Sequence, residues 1–239
     1  MMEDWKHEPA RDLELTGLAK HSSHRRENGW IASAARFAWG MYTRSVLMTW
    51  NRLTIQGREN LPAKPPFMVV ANHSSHLDAI LLSTVVPLKW RNVHFPIAAK
   101  DVFFENEAVA AFAATVLNAM PVDRKALCRR GLADLKDRLI RDECIFTLFP
   151  EGTRARDGQM GSFKPGIGML VAGENVPVVP CYLQGAHAAM PPDSRLVRPK
   201  KLGIRIGPPK NFSHLPKSRE GWETCAKELE DAVRALSGN

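Results

Sequence analysis

Phe67-Met-Val-Val-Ala71 runs into Asn72-His-Ser-Ser-His76 and then into Leu77-Asp-Ala-Ile-Leu-Leu-Ser-Thr-Val-Val86. The first five residues form an unbroken β-prone apolar run, the pattern of a strand buried on both faces. The last ten are mostly apolar and read as a helix. A strand passing through a short polar connection into a helix is half of a βαβ unit. The same alternation continues outward from it. Strand-like runs fall at 92–98, 144–149, 176–183 and 201–206. Helical patterns fall at 105–118, 126–140 and 165–172, and along Trp222, Cys225, Leu229, Val233 and Leu236. Together they predict an α/β fold: a single domain with a mostly parallel sheet flanked by helices. Pro177 and Pro180 mark the 176–183 strand as an irregular edge. Gly185 is the turn residue that closes it, and the Pro-rich, basic stretch 190–201 reads as a surface loop.

Upstream of this domain, which is expected over 53–239, lie two segments of different character. Residues 1–28 are polar and charged, with no apolar core behind a basic flank, so a flexible tail or a short helix near 13–20 is expected and a secretory signal is not. Residues 29–52 are strongly apolar: Trp30, Ile31, Phe37, Trp39, Met41, Tyr42, Val46, Leu47, Met48 and Trp50 surround a narrow stripe of Ser33, Arg36, Gly40 and Thr43/Arg44. This predicts an amphipathic helix in the plane of a membrane interface. Packing of the apolar side on the domain's own core is the alternative. Two arginines near the middle disfavour a membrane span.

The formal charge of +8 suits a nucleic acid, an anionic membrane surface or an anionic small molecule. The basic residues are dispersed and match no nucleic-acid-binding motif, so no nucleic-acid partner is expected. Cys128, Cys144, Cys181 and Cys225 form no C-x-x-C pair, which argues against a zinc ribbon, a redox motif or a disulfide scaffold.

In open α/β sheets, ligands bind where strands end and helices begin. His73 lies in such a connection, and Asp78 falls in the first turn of the helix that follows. A carboxylate folded back onto the imidazole fixes its tautomer and stabilises the imidazolium, leaving the histidine to act as a general base. Two structural readings compete. Ser75 and Asp78 have the spacing of a capping box, so Asp78 can simply cap the helix. A metal held by His73, His76 and Asp78 lacks a further ligand cluster. No G-x-S-x-G elbow marks Ser74 or Ser75 as a nucleophile. A second polar connection, Phe149-Pro150-Glu151-Gly152-Thr153-Arg154, follows another strand and so can reach the same sheet edge. Arg154 offers a fixed fork for phosphate. Glu151 can accept from a polyol hydroxyl or orient Arg154, and Gly152 permits close backbone approach. The competing reading is a surface turn carrying a Glu–Arg pair. Lys100 and Arg124 are further candidates for an anion.

Taken in order, Asn72-His73 to Asp78, Val122-Asp123-Arg124, Phe149 to Arg154 and Val176-Pro177-Val178-Val179-Pro180 resemble the motifs of the lysophosphatidic acid acyltransferase family. Gly57 to Pro62 and Phe163-Lys164-Pro165-Gly166 are also family-like, and the likeness extends over about residues 30–207. The resemblance implies transfer of a fatty acyl group from acyl-CoA or acyl-carrier protein to the hydroxyl of a lysophospholipid, with 1-acylglycerol-3-phosphate as acceptor and phosphatidic acid as product. It implies no metal, no cofactor and no covalent intermediate. His73 would be the base and Asp78 its partner. Glu151, Gly152, Thr153 and Arg154 would hold the glycerol phosphate, with Arg124 a phosphate contact. The setting it implies is the cytoplasmic face of the cell membrane, reached peripherally through anionic lipid. Two departures, Phe104 to Val109 where a Pro and a Gly are usual and Asn118 where a Gly is usual, leave room for another lyso-lipid acceptor such as an amino-acid lipid. A non-enzymatic basic membrane-binding module is the remaining alternative.

Overall fold

A computed structural model describes residues 14–23, 26, 29–122, 129–191, 194 and 196–238. Its strands are β1 (Thr54–Gln56), β2 (Phe67–Ala71), β3 (His94–Ala99), β4 (Met120–Val122), β5 (Ile145–Leu148), β6 (Val178–Gln184) and β7 (Gly203–Ile206). They form one seven-stranded sheet in the order β1-β7-β6-β2-β5-β3-β4. Every neighbouring pair is parallel except β6 with β7. The C-terminal ends of β6, β2, β5, β3 and β4 therefore share one edge, which is where the connections after β2 and β5 emerge.

The expected α/β architecture with a mostly parallel sheet is found. The 176–183 strand is not at the edge. β6 lies inside the sheet, between β2 and β7. Its proline is tolerated because the β7 pairing ends at Cys181↔Ile206, one residue beyond Pro180, whose carbonyl still accepts from Gly207 N–H at 2.8 Å. The three-residue strands β1 and β4 carry too few residues for an alternation to register, and the sequence did not announce them.

The helices are α1 (Gly17–His21), α2 (Trp30–Thr49), α3 (Leu77–Val85), α4 (Lys100–Phe103), α5 (Glu107–Thr115), α6 (Arg129–Ile140), α7 (Gly166–Val171), α8 (Ala186–Ala189) and α9 (Arg219–Ala235). The β2 run, buried throughout, serves both layers, because alternate side chains of a strand point to opposite faces. Met68 and Val70 join Phe146, Val178, Leu135 and Leu139 of α6, Ile167 and Val171 of α7, and Leu229 and Val233 of α9. Phe67, Val69 and Ala71 join Ile145, Val179, Leu47 of α2, and Leu77, Leu81 and Val85 of α3. The helix expected over 105–118 is found as α5, trimmed at both ends; the Asn106 side chain accepts from Ala108 N–H and Val109 N–H and starts it, and the short α4 precedes it.

Helix α2 lies with its polar stripe inward. Arg36 is buried and donates through Nε to Thr115 O at 2.9 Å and through Nη2 to Ala114 O at 3.2 Å, at the C-terminal end of α5. Arg44 donates through Nη2 to Val86 O at 2.6 Å and to Ser83 O and Thr84 O at the end of α3. A guanidinium there satisfies carbonyls that lack helical partners and sits at the negative end of the helix dipole. Burial lowers the pKa of Arg36 to about 10, which still leaves it charged at neutral pH. The apolar side faces outward: Trp30, Ile31, Phe37, Met41, Tyr42 and Met48 are exposed. Among the described residues, no helix is long and apolar enough to cross a membrane.

Part of the first 28 residues is docked as well. Arg26 is buried and donates through Nη2 to Ala119 O at 2.9 Å, while Arg138 Nη2 donates to Arg26 O at 2.7 Å.

Helices α7 and α9 meet at Gly168, where a Cβ would overlap the backbone of Trp222. Gly168→Ala is therefore expected to destabilise the fold by about 2–3 kcal/mol. Urea denaturation checks this: the midpoint should fall with the slope unchanged.

Candidate active site

The polar connection after β2 is held by three side chains of its own. Asn72 is buried and extends the β2–β6 ladder: its Nδ2 donates to Leu183 O at 3.1 Å, and its Oδ1 accepts from Leu183 N–H at 2.8 Å. Ser75 Oγ donates to Met190 O at 2.6 Å, which ties the connection to the residue just after α8. Asp78, fully buried in the first turn of α3, accepts at a single oxygen, Oδ2, from Ser74 N–H at 2.6 Å and Ser75 N–H at 2.7 Å. The same Oδ2 lies 3.0 Å from His73 Nδ1. One oxygen of Asp78 thus does two things at once: it accepts the amides that lead into α3, and it faces the imidazole. A carboxylate can only accept, so Nδ1 carries the proton and Nε2 is left as the basic nitrogen. The His73 side chain remains 18% exposed.

The connection after β5 closes on the same histidine from the other side. Phe149 stacks on the His73 ring, with centroids 4.0 Å apart and an interplanar angle of 13°. Ala155 N–H donates to His73 O at 2.8 Å. Glu151 is buried; its Oε1 accepts from His73 N–H at 2.7 Å and its Oε2 from Gly161 N–H at 2.9 Å. Its carboxylate therefore holds the two connections together, and each oxygen, with one donor, can still accept another. Burial pushes its pKa up, against the two N–H donors that pull it down. Sequence spacing could not reveal this clasp, because His73 and Glu151 are 78 residues apart.

The remaining candidates divide. Gly152 has φ +74°, in the left-handed region that favours glycine, and the Lys164 side chain lies across it. Lys164 N–H donates to Pro150 O at 2.9 Å, so this lysine belongs to the site although its position in sequence showed only a general basic character. Thr153 is exposed. Arg154 is half-buried, and its Nη1 is buried with no hydrogen-bond partner among the described residues. A guanidinium nitrogen in that state is a costly orphan unless an anion meets it. His76, the residue before α3, faces the same charges; burial, then Arg154 and His73, hold its pKa below the usual histidine value, so it stays neutral at pH 7. Lys100 opens α4 at the same sheet edge and is exposed. Arg124 lies outside the described residues.

A family model described as acyltransferase matches residues 52–184, more than half of the chain and both connections. The chain belongs to the acyltransferase family. Among its relatives is a 1-acyl-sn-glycerol-3-phosphate acyltransferase of Bacillus subtilis, 28% identical over 76% of this chain and 86% of that protein. A chloroplastic enzyme of the same name from Brassica napus is 33% identical over 59% of this chain, and the mouse alpha enzyme is 27% identical over 66%. The aligned region spans only 39% of the Brassica protein and 54% of the mouse protein. The crystal structure of PlsC, the 1-acyl-sn-glycerophosphate acyltransferase of Thermotoga maritima, superposes with a TM-score of 0.65 at 25% identity, over 87% of this chain and 80% of that one.

Because Asp78 both orients His73 and anchors two amides, its charge and its shape can be separated. Asp78→Asn keeps an acceptor oxygen for the amides and loses the charge that stabilises the imidazolium. Expected is a fall in kcat of roughly 10²–10⁴-fold with little change in KM. Steady-state kinetics beside circular dichroism checks both halves of that expectation.

Proposed function

We propose that this chain transfers a fatty acyl group from an acyl thioester, of coenzyme A or of acyl-carrier protein, to the free hydroxyl of 1-acylglycerol-3-phosphate, giving phosphatidic acid. The observation that carries the reading is that His73, oriented by Asp78, and Arg154 stand on two connections that Glu151 holds together. A hydroxyl to deprotonate and a phosphate to hold describe a glycerol phosphate acceptor. The names of the relatives point the same way.

His73 Nε2 takes the hydroxyl proton as the oxygen attacks the thioester carbonyl. The resulting imidazolium is stabilised by Asp78 through Nδ1–H. Collapse of the tetrahedral intermediate expels the thiolate, which recovers the proton from Nε2. Charge balance is complete within the His73–Asp78 pair, and the step calls for no metal or covalent enzyme intermediate.

The departure at Asn118 does not favour another acceptor. Asn118 has φ +55°, which asparagine tolerates better than most residues, and its Nδ2 donates to His94 O at 2.9 Å. It replaces a glycine by adopting a glycine's conformation, inside the fold. The outward face of α2, uncharged and rich in Trp, Tyr and Met, is read as the surface laid against the bilayer that holds the acceptor. Residues 29–52 then form the interfacial element and 53–239 the catalytic domain, working peripherally at a cytoplasmic membrane face.

Incubation with an acyl-CoA and a panel of lyso-lipids, read by mass spectrometry, is expected to give phosphatidic acid from lysophosphatidate. His73→Ala should lower kcat by about 10³-fold or more without unfolding the protein, and Arg154→Ala should raise KM for lysophosphatidate by at least about tenfold. Product formed only from acceptors without a phosphomonoester, or wild-type turnover by the His73 variant, would sink the proposal.

A further inference from the structure

Between α8 and β7 the chain makes a loop, residues 196–201, that none of the chemistry above requires. Its sequence, Leu196-Val197-Arg198-Pro199-Lys200-Lys201, carries three cations and no acid. Arg198, Lys200 and Lys201 are exposed, as is Arg52, which donates through Nη2 to Pro199 O at 3.4 Å. Among the described residues, none of these four cations is paired with a carboxylate. Leu196 stands 79% exposed and Trp50 54% exposed beside them.

This loop is held in place. Asn51 is fully buried, and its Nδ2 donates to Arg198 O at 2.9 Å and to Lys200 O at 3.0 Å. Leu202 N–H donates to Asn51 O at 3.1 Å, and Trp50 Nε1 to Val197 O at 3.4 Å. The end of α2 and the loop thus form one surface. Its other end reaches the catalytic connection: Arg198 N–H donates to Ala189 O at 2.8 Å, and the next residue, Met190, accepts from Ser75 Oγ.

We propose that residues 196–201, with Arg52 and Trp50, are a second foot on the membrane, one that reads the negative charge of anionic lipid headgroups. The proposal rests on the interfacial reading of α2 and adds what α2 lacks. The outer face of α2 carries no charge, so it can sense apolar depth but not lipid charge. The loop supplies unpaired cations where α2 ends, with a tryptophan and a leucine of the kind that sit at headgroup level. An acidic protein would also meet the cations, but it would not call for an exposed leucine and an exposed tryptophan beside them. The hydrogen-bonded link to Ser75 places the foot within a few residues of His73, so docking sets the height of the catalytic histidine above the lipid.

Co-sedimentation of the full chain with vesicles tests this, comparing phosphatidylcholine alone with phosphatidylcholine mixed with phosphatidylglycerol. Each cation near an anionic surface is worth roughly a fivefold gain in affinity, so the triple variant Arg198→Ser, Lys200→Ser, Lys201→Ser should lose about a hundredfold on the anionic vesicles. Its binding should also lose most of its salt dependence. Binding to phosphatidylcholine alone, and turnover of a short-chain, water-soluble lysophosphatidate, should stay at the wild-type level. Wild-type affinity of the triple variant for anionic vesicles, or failure of the wild type to prefer them, overturns the proposal. So does a variant whose only defect is a raised KM for acyl-carrier protein, which would make the loop a protein-docking site. Turnover of the soluble substrate reports separately on the acyltransferase reading, because it needs no membrane.

Discussion

Three N–H groups converge on one oxygen of Asp78. Ser74 and Ser75 supply two from the backbone and His73 Nδ1 supplies the third. This cluster turns a flexible strand-to-helix connection into a fixed platform. It starts α3, sets the tautomer of the histidine and leaves only one ring nitrogen available. A buried carboxylate is tolerable only when such donors meet it. The start of the helix and the placement of the histidine therefore form together, and neither can be adjusted without the other.

The same economy recurs around it. Asn72 completes the sheet with a side chain in place of backbone, and Glu151 joins two connections by accepting one amide from each. Phe149 adds a flat apolar wall that keeps the imidazole in one plane. The site is thus built from polar side chains directed at the protein's own backbone. His73, Arg154 and the Lys164 side chain that crosses Gly152 stand around these contacts. Such a construction gives a site rigidity before any ligand arrives, which keeps the reacting atoms aligned without further reorganisation.

How far the sequence disclosed this depended on the range of each interaction. The strand and helix of 67–86 were legible because burial on both faces and helical spacing are local patterns. His73 and Asp78 were legible because five residues separate them. The clasp made by Glu151 was not, since its partners are set by the meeting of two distant connections. The interior position of β6 was misjudged for a related reason. A proline weakens a strand only on the side where its N–H would have been used, and that side is known only once the end of β7 is known. The orientation of α2 was similarly hidden. Its apolar and polar sides were plain in the sequence, but the carbonyls that receive Arg36 and Arg44 belong to α5 and α3, far along the chain.

That orientation has a consequence for how the protein comes into being. Both arginines of α2 find their partners within the protein, so the helix completes its polar contacts with no help from lipid. On the interfacial reading of that helix, folding and arrival at a membrane are separable events, the first able to finish before the second begins. A chain made this way carries an adhesive outer face from the moment it is folded. That face is open to the same face on another copy, so on the same reading self-association in dilute detergent-free buffer competes with the bilayer.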